Sequence, residues 1–162
     1  MPDISRRTFL AAALIPAAAR AQTPASPLAF SAVSVDVSHL RAIGSGPFAD
    51  IVQVAMAEEL RRAFADRIVG RGPRLVVRVT GLFLVTLPQG GGRFFEGSGG
   101  ATDSIDGEAL VVGPRGEILA RYAQHNNLHP QGPWYDPLNE RKRADAVARN
   151  YAQWLRRYTV PR

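Results

Sequence analysis

Val33, Val35 and Val37 alternate with Ser34 and Asp36, the two-residue period of a half-buried strand, and predict a first strand over about Phe30–Val37. Ser38 to Ser45 reads as a polar connection running into Gly44-Ser45-Gly46. Pro47 then stands where a first helical residue is expected, because its missing donor costs nothing in a first turn. The apolar stripe Ile51/Val52, Met56, Leu60 and Ala63/Phe64 carries this helix to about Ile68, with Glu58, Arg61, Arg62 and Asp66 pointing away. Met and Phe on that stripe read as core. Gly70, Gly72 and Pro73 end it.

A second strand is expected over Arg74 to about Leu87. Leu75, Val77 and Val79 share one face, and Leu82-Phe83-Leu84-Val85 reads as apolar on both faces, as in a central strand. A Gly-rich stretch, Pro88 to Gly100, precedes strands at about Thr102–Val112 and Glu117–Gln124, joined by the compact turn Gly113-Pro114-Arg115-Gly116. Ile105, Ala109 and Val111 share a face of the first, and Ile118, Ala120 and Tyr122 share one of the second. After a loop from His125 to Tyr135, Asp136 caps a helix whose first residue is Pro137. Ala144, Val147, Ala148, Tyr151, Trp154/Leu155 and Tyr158 recur at helical spacing to the end of the chain. The order β-α-β-β-β-α predicts an α+β fold: a two-layer sandwich with a mostly antiparallel sheet of about four strands and two helices on one face.

The first residues have another character. Ser5-Arg6-Arg7-Thr8-Phe9-Leu10, the Ala-rich run to Ala19 and the Ala19-Arg20-Ala21 cleavage pattern form a twin-arginine export signal over residues 1–21. The apolar run is too short to span hydrocarbon, which takes about 20 residues. Cleavage after Ala21 leaves a flexible leader, 22–28, before one α+β domain over 29–162 and places the mature chain in the periplasm without a transmembrane span. The chain has 46% hydrophobic residues, enough for one core, and no cysteine. The missing cysteine excludes a lipid anchor at the cleavage site, disulfides, thiolate metal sites and cysteine nucleophiles.

The net charge of +6 is concentrated at the end, where seven basic residues between Glu140 and Arg162 face two acidic ones. Arg141, Lys142, Arg149, Arg156 and Arg157 could face an anionic lipid or lipopolysaccharide, or simply solvate a helix face. No nucleic-acid-reading module is present. His125 and His129 stand four apart, but beside Pro130 they read as loop residues. His39 or Asp136 could in principle complete a metal site with them, and no metal or other cofactor is expected. The Gly-rich stretch lacks a phosphate-loop signature. Arg93, Phe94 and Phe95 within it make either an exposed partner anchor or part of a long hairpin connection. Trp134 and Tyr135 offer a stacking platform, or Trp134 staples the helix start. Asp106 and Glu108 share a strand face while Asp103 lies on the other, and Ser98 lacks the strand–helix setting of a hydrolase elbow, so no catalytic residue is assigned.

In layout, the helix Pro47–Ile68, the strand Arg74-Leu75-Val76-Val77-Arg78-Val79, the hairpin from Asp106-Gly107-Glu108 to Gly116-Glu117-Ile118-Leu119-Ala120 and the closing Arg/Ala-rich helix make the chain resemble small exported envelope proteins of Gram-negative bacteria, many of them lipoproteins. Those carry a cysteine at the cleavage site and this chain carries none, so the resemblance implies a soluble periplasmic relative. The expected function is non-catalytic binding of an envelope component or partner protein. The alternatives are a small periplasmic hydrolase using the loop histidines and an anionic-surface binder acting through the last helix. Replacing Arg6 and Arg7 together by Lys is expected to leave the chain uncleaved in the cytoplasm. Immunoblots of cell fractions check this against the shorter periplasmic product of the parent sequence.

Overall fold

The computed structural model describes residues 28–85, 102–130, 132–133 and 136–159. Strand β1 (Ala32–Asp36) leads through α1 (Ser38–Ala42) and α2 (Gly46–Ala63) to β2 (Arg74–Phe83). Strands β3 (Asp103–Val112) and β4 (Ile118–Leu128) then precede α3 (Asn139–Thr159). The sheet order is β1-β2-β3-β4, with β1 parallel to β2 and the other two pairings antiparallel. This is the two-layer α+β arrangement that the hydrophobic pattern predicts. A parallel pair needs a crossover of a dozen or more residues, and α1 and α2 supply it. The signal segment 1–21, most of the leader and the Gly-rich stretch lie outside the described residues.

Register assigns the two faces of the sheet. Val33, Leu75, Val111 and Ala120 align across all four strands, as do Val35, Val77, Ala109 and Tyr122, and these rows belong to the core beneath the helices. From α2 come Ala49, Val52, Ala55, Met56 and Leu60, and from α3 come Ala144, Val147, Ala148, Tyr151 and Leu155, all buried. Tyr151 reaches the sheet because Gly107 presents no side chain. A Cβ there would lie 2.9 Å from the Tyr151 hydroxyl and 2.7 Å from the Arg78 carbonyl oxygen.

From β1 through β2 the structure departs from the sequence expectation at three points. The connection after β1 contains the short helix α1. Asp36 Oδ1 accepts the Ser38 amide at 3.0 Å, and Leu40 is fully buried. Five residues are too few to display a helical period. Helix α2 stops at Ala63, five residues early, because Ile68 makes a parallel bridge with Phe30 and the Val69 amide donates to the Phe30 carbonyl at 2.9 Å. In β2, the pairing register shifts between Val79 and Gly81. The extra residue reverses the alternation, so Leu75, Val77 and Val79 face the core before it and Leu82 and Leu84 after it. Phe83 is left 62% exposed on the other face. A run that looks apolar on both faces is thus one face seen across a bulge.

At the far end of the sheet lies a buried ion pair. Asp103 opens β3 and Arg143 sits in the second turn of α3, only 1% and 3% exposed at their side chains. Arg143 Nε donates to Asp103 Oδ2 at 2.8 Å, and Nη2 donates to Asp103 Oδ1 and, at 2.8 Å, to the Val85 carbonyl. The Val85 amide donates back to Asp103 Oδ1 at 3.0 Å. Removing one buried charge strands the other, at a cost of about 3–5 kcal/mol, whereas replacing both with apolar groups is far milder. Asp103→Leu and Arg143→Met are each expected to lower stability by about that amount, and the double variant by less than either alone. Urea unfolding curves of the four proteins check this.

Candidate functional site

Where β3 begins, β4 ends and α3 begins, the chain leaves a cavity of 340 Å3. Its floor is the Asp103–Arg143 pair, and its rim carries His129, Asp136, Asn139 and Lys142. The setting is fixed by the terminal pairing of Asp103 with Leu128 in the β3–β4 ladder, after which His129 leaves the sheet. Asp136 Oδ1 accepts the Leu138 amide at 2.9 Å, and its carbonyl accepts the Asn139 amide at 2.9 Å. It therefore performs the capping role read from sequence, although the regular helix starts at Asn139. Lys142 Nζ donates to Asp136 Oδ2 at 2.6 Å, and this bond, with the Leu138 amide, holds the carboxyl below its ordinary range. Two cations, two carboxylates and an imidazole thus surround a space large enough for one polar side chain or headgroup.

The two histidines do not meet. His125 lies within β4, beyond the point where a strand was expected to end. Its Nδ1 is 2.6 Å from Asp106 Oδ1 on the face of the sheet away from the helices. Four residues along an extended chain separate it from His129 by roughly 13 Å, far more than a shared metal allows. His39 is exposed on α1. Among the described residues, no three His, Asp or Glu side chains cluster closely enough to hold a metal ion. The same open face carries a cross-strand charge ladder. Arg78 pairs with Asp36 at 3.4 Å and Glu108 at 3.1 Å, and Arg121 pairs with Glu108 at 2.9 Å. Asp106 and Glu108 share this face, and Asp103 is on the other, as their alternation requires.

Most of the basic side chains of α3 have acidic partners. Arg149 bonds Asp145 at 2.9 Å and Glu58 at 3.0 Å, which together raise its affinity for its proton. Arg156 bonds Asp66 at 2.8 Å and lies over the Phe64 ring, while Arg157 lies over Trp154 at 4.5 Å. Arg149 and Arg156 thereby tie α3 to α2 and its exit turn. Arg141 lines a shallow hollow with Ile51, Leu138 and Asp145. No helix among the described residues is long and apolar enough to cross a membrane. Arg93, Phe94, Phe95, Ser98, Trp134 and Tyr135 lie outside the described residues, although Pro133 and Asp136, which bracket the last two, both line the cavity.

The sequence reading missed the pairing at the cavity floor. Its signal was Arg143, four residues before Val147 on the apolar stripe, where a charge needs a buried partner. It also placed Trp154 and Tyr158 on that stripe, whereas they stack on each other at 6.1 Å, 38% and 65% exposed.

Because the Asp136 carboxyl is held low, its contribution is present above the unfolded value of about 3.9 and fades as pH falls through the lower folded value. Asp136→Asn keeps an acceptor for the Leu138 amide and removes the Lys142 ion pair. The variant is expected to melt below the parent at pH 7, with the gap closing by about pH 2. Circular-dichroism melts across this range check it.

Comparison with family models, curated proteins and solved structures finds no match to this chain.

Proposed function

We propose that this chain is an exported, non-catalytic protein of the bacterial cell envelope that binds a partner at the cavity beside the start of α3. The carrying observation is the cavity itself: a hollow with an ion-paired floor, rimmed by His129, Asp136 and Lys142 and walled in part by the apolar Leu128, Pro133 and Ala146. Binding sites are usually concave, with a few fixed polar groups that set orientation, and this hollow has that form. Its chemistry suits a polar side chain or small headgroup that both donates and accepts hydrogen bonds. Trp134 and Tyr135 follow Pro133 directly in the chain, which puts the stacking residues of the sequence reading next to the rim in sequence. The twin-arginine segment supports a periplasmic location, and the resemblance to envelope auxiliary proteins supports a protein partner.

The alternatives draw less support. The hydrolase reading needs His125 or His129 beside a carboxylate. His125 meets Asp106 where both side chains are about half exposed and screened by water. His129 shares the cavity with Asp103 and Asp136, whose carboxylates are already bonded to Arg143 and Lys142. The anionic-surface reading loses Lys142, Arg149 and Arg156 to acidic neighbours, leaving Arg141 and Arg157 as its main support.

Affinity capture from envelope extracts tests the proposal. The parent chain, His129→Ala/Lys142→Ala and Phe94→Ser/Phe95→Ser are compared at equal loading. The cavity double variant is expected to lose the specific partner by about tenfold or more, the effect of about 1.4 kcal/mol. Recovery unchanged by the cavity substitutions overturns the cavity as the site, and a loss confined to the Phe94/Phe95 variant moves it to the Gly-rich loop.

A further inference from the structure

The sheet has two edges of different kinds. β1 is five residues long and carries Asp36, both of which discourage another strand from pairing there. β4 is the longest strand, eleven residues from Ile118 to Leu128, and among the described residues no strand pairs with its outer side. It contains no proline and one formal charge, Arg121, which is engaged by Glu108 at 2.9 Å. From Tyr122 to Leu128 it carries no formal charge, so an identical antiparallel strand brings no like charges opposite one another over that stretch.

The layer above this edge is equally open. Asn150 on α3 accepts a hydrogen bond from the Asn126 side chain, which sets that flank of the helix over β4. Trp154 and Tyr158 follow at four-residue intervals, stacked and exposed, and Tyr158 joins Tyr122, Ala123 and Leu155 around a hollow at the strand edge. The opposite flank, with Arg149, Gln153 and Arg156, is bonded to α2 and its exit turn. One rim of the molecule thus presents an unpaired strand edge and, above it, an aromatic helix flank.

We infer that two copies of this chain associate across this rim, β4 to β4 antiparallel and α3 beside α3, about a twofold axis normal to the sheet. The spacing favours a second copy over a lone peptide strand. Helix α3 packs on both β3 and β4. With strands about 4.8 Å apart, pairing the two β4 edges sets the two α3 axes two strand spacings apart, about 10 Å, the distance at which helices pack. Strand pairing and helix contact therefore close together. A single added strand would satisfy the edge and leave Trp154 and Tyr158 in water.

The area is sufficient. An eleven-residue strand is about 37 Å long, and a strand layer with a helix layer is about 20 Å deep, so the rim offers roughly 700 Å2 per copy. A standard stable interface uses about 800 Å2 per partner. The result is a continuous eight-stranded sheet with both helical layers on one face and the central edges consumed. The cavity rim residues take no part in it, so this proposal stands or falls separately from the binding function.

Light scattering coupled to size exclusion, with sedimentation velocity from 1 to 100 μM, tests the pairing on the purified chain. The parent is expected at twice the chain mass. Trp154→Glu/Tyr158→Glu changes only exposed side chains, and Ala123→Lys adds a charge at the edge. Each is expected to raise the dimer dissociation constant by at least about 100-fold while the far-ultraviolet spectrum and melting of the monomer persist. A parent that is monomeric at 100 μM overturns the inference, as does a dimer that neither substitution set weakens.

Discussion

Burying a carboxylate and a guanidinium out of water is expensive, and the Asp103–Arg143 pair offsets that cost only because almost every polar atom involved has a partner. The consequence is geometric. Asp103 is the first residue of β3, Arg143 belongs to α3, and Val85 lies two residues past β2, so one cluster fixes three parts of the chain distant in sequence. Apolar packing alone lets a helix slide along a sheet by fractions of a turn at modest cost. A bidentate bond does not, because its strength depends on direction. The axial position of α3, and everything that depends on it, follows from this contact.

Two features depend on it most directly. The cavity exists because α3 is held with its start just beyond the end of the β3–β4 ladder, leaving a hollow where the chain turns. Tyr151, two turns further on, is held against Gly107 with its hydroxyl buried and, among the described residues, without a hydrogen-bond partner, and burial pushes the phenol well above its ordinary range. That is a local cost the core tolerates, since the ring fills the space between helix and sheet. On the other side of the sheet, the ladder through Asp36, Arg78, Glu108 and Arg121 serves a different purpose. It sets fixed charges along the face away from the helices, where Leu110 is buried beside them, and so disfavours a second apolar core there.

Much of this was legible in the sequence for simple reasons. The alternation at Val33–Val37 and Leu75–Val79, the helical stripe from Ala144 to Leu155, Asp136 before Pro137 and the Gly113–Gly116 turn are all local patterns, and each marks the element it should. What escaped is what local pattern cannot carry. The bulge beyond Val79 depends on the neighbouring strand, α1 is little more than one helical turn and too short to show a repeating stripe, and β4 runs through His125 because β3 continues opposite it. Trp154 and Tyr158 fit a helical stripe, yet they fall beyond the arc that the sheet and α2 cover. For the candidate site the same division holds. Asp136 and His129 were visible as polar loop residues, whereas the Arg143–Asp103 floor required knowing that two positions forty residues apart would meet.

That separation also sets an order of events in time. α3 supplies Val147, Tyr151 and Leu155 to the same buried cluster that β1 and α2 line from the other end of the chain. During synthesis the earlier elements emerge with their inner faces uncovered, and they stay so until residues near 155 have left the ribosome. The buried cluster is therefore complete only once α3 has left the ribosome, and until then the inner faces of the earlier elements lack their cover.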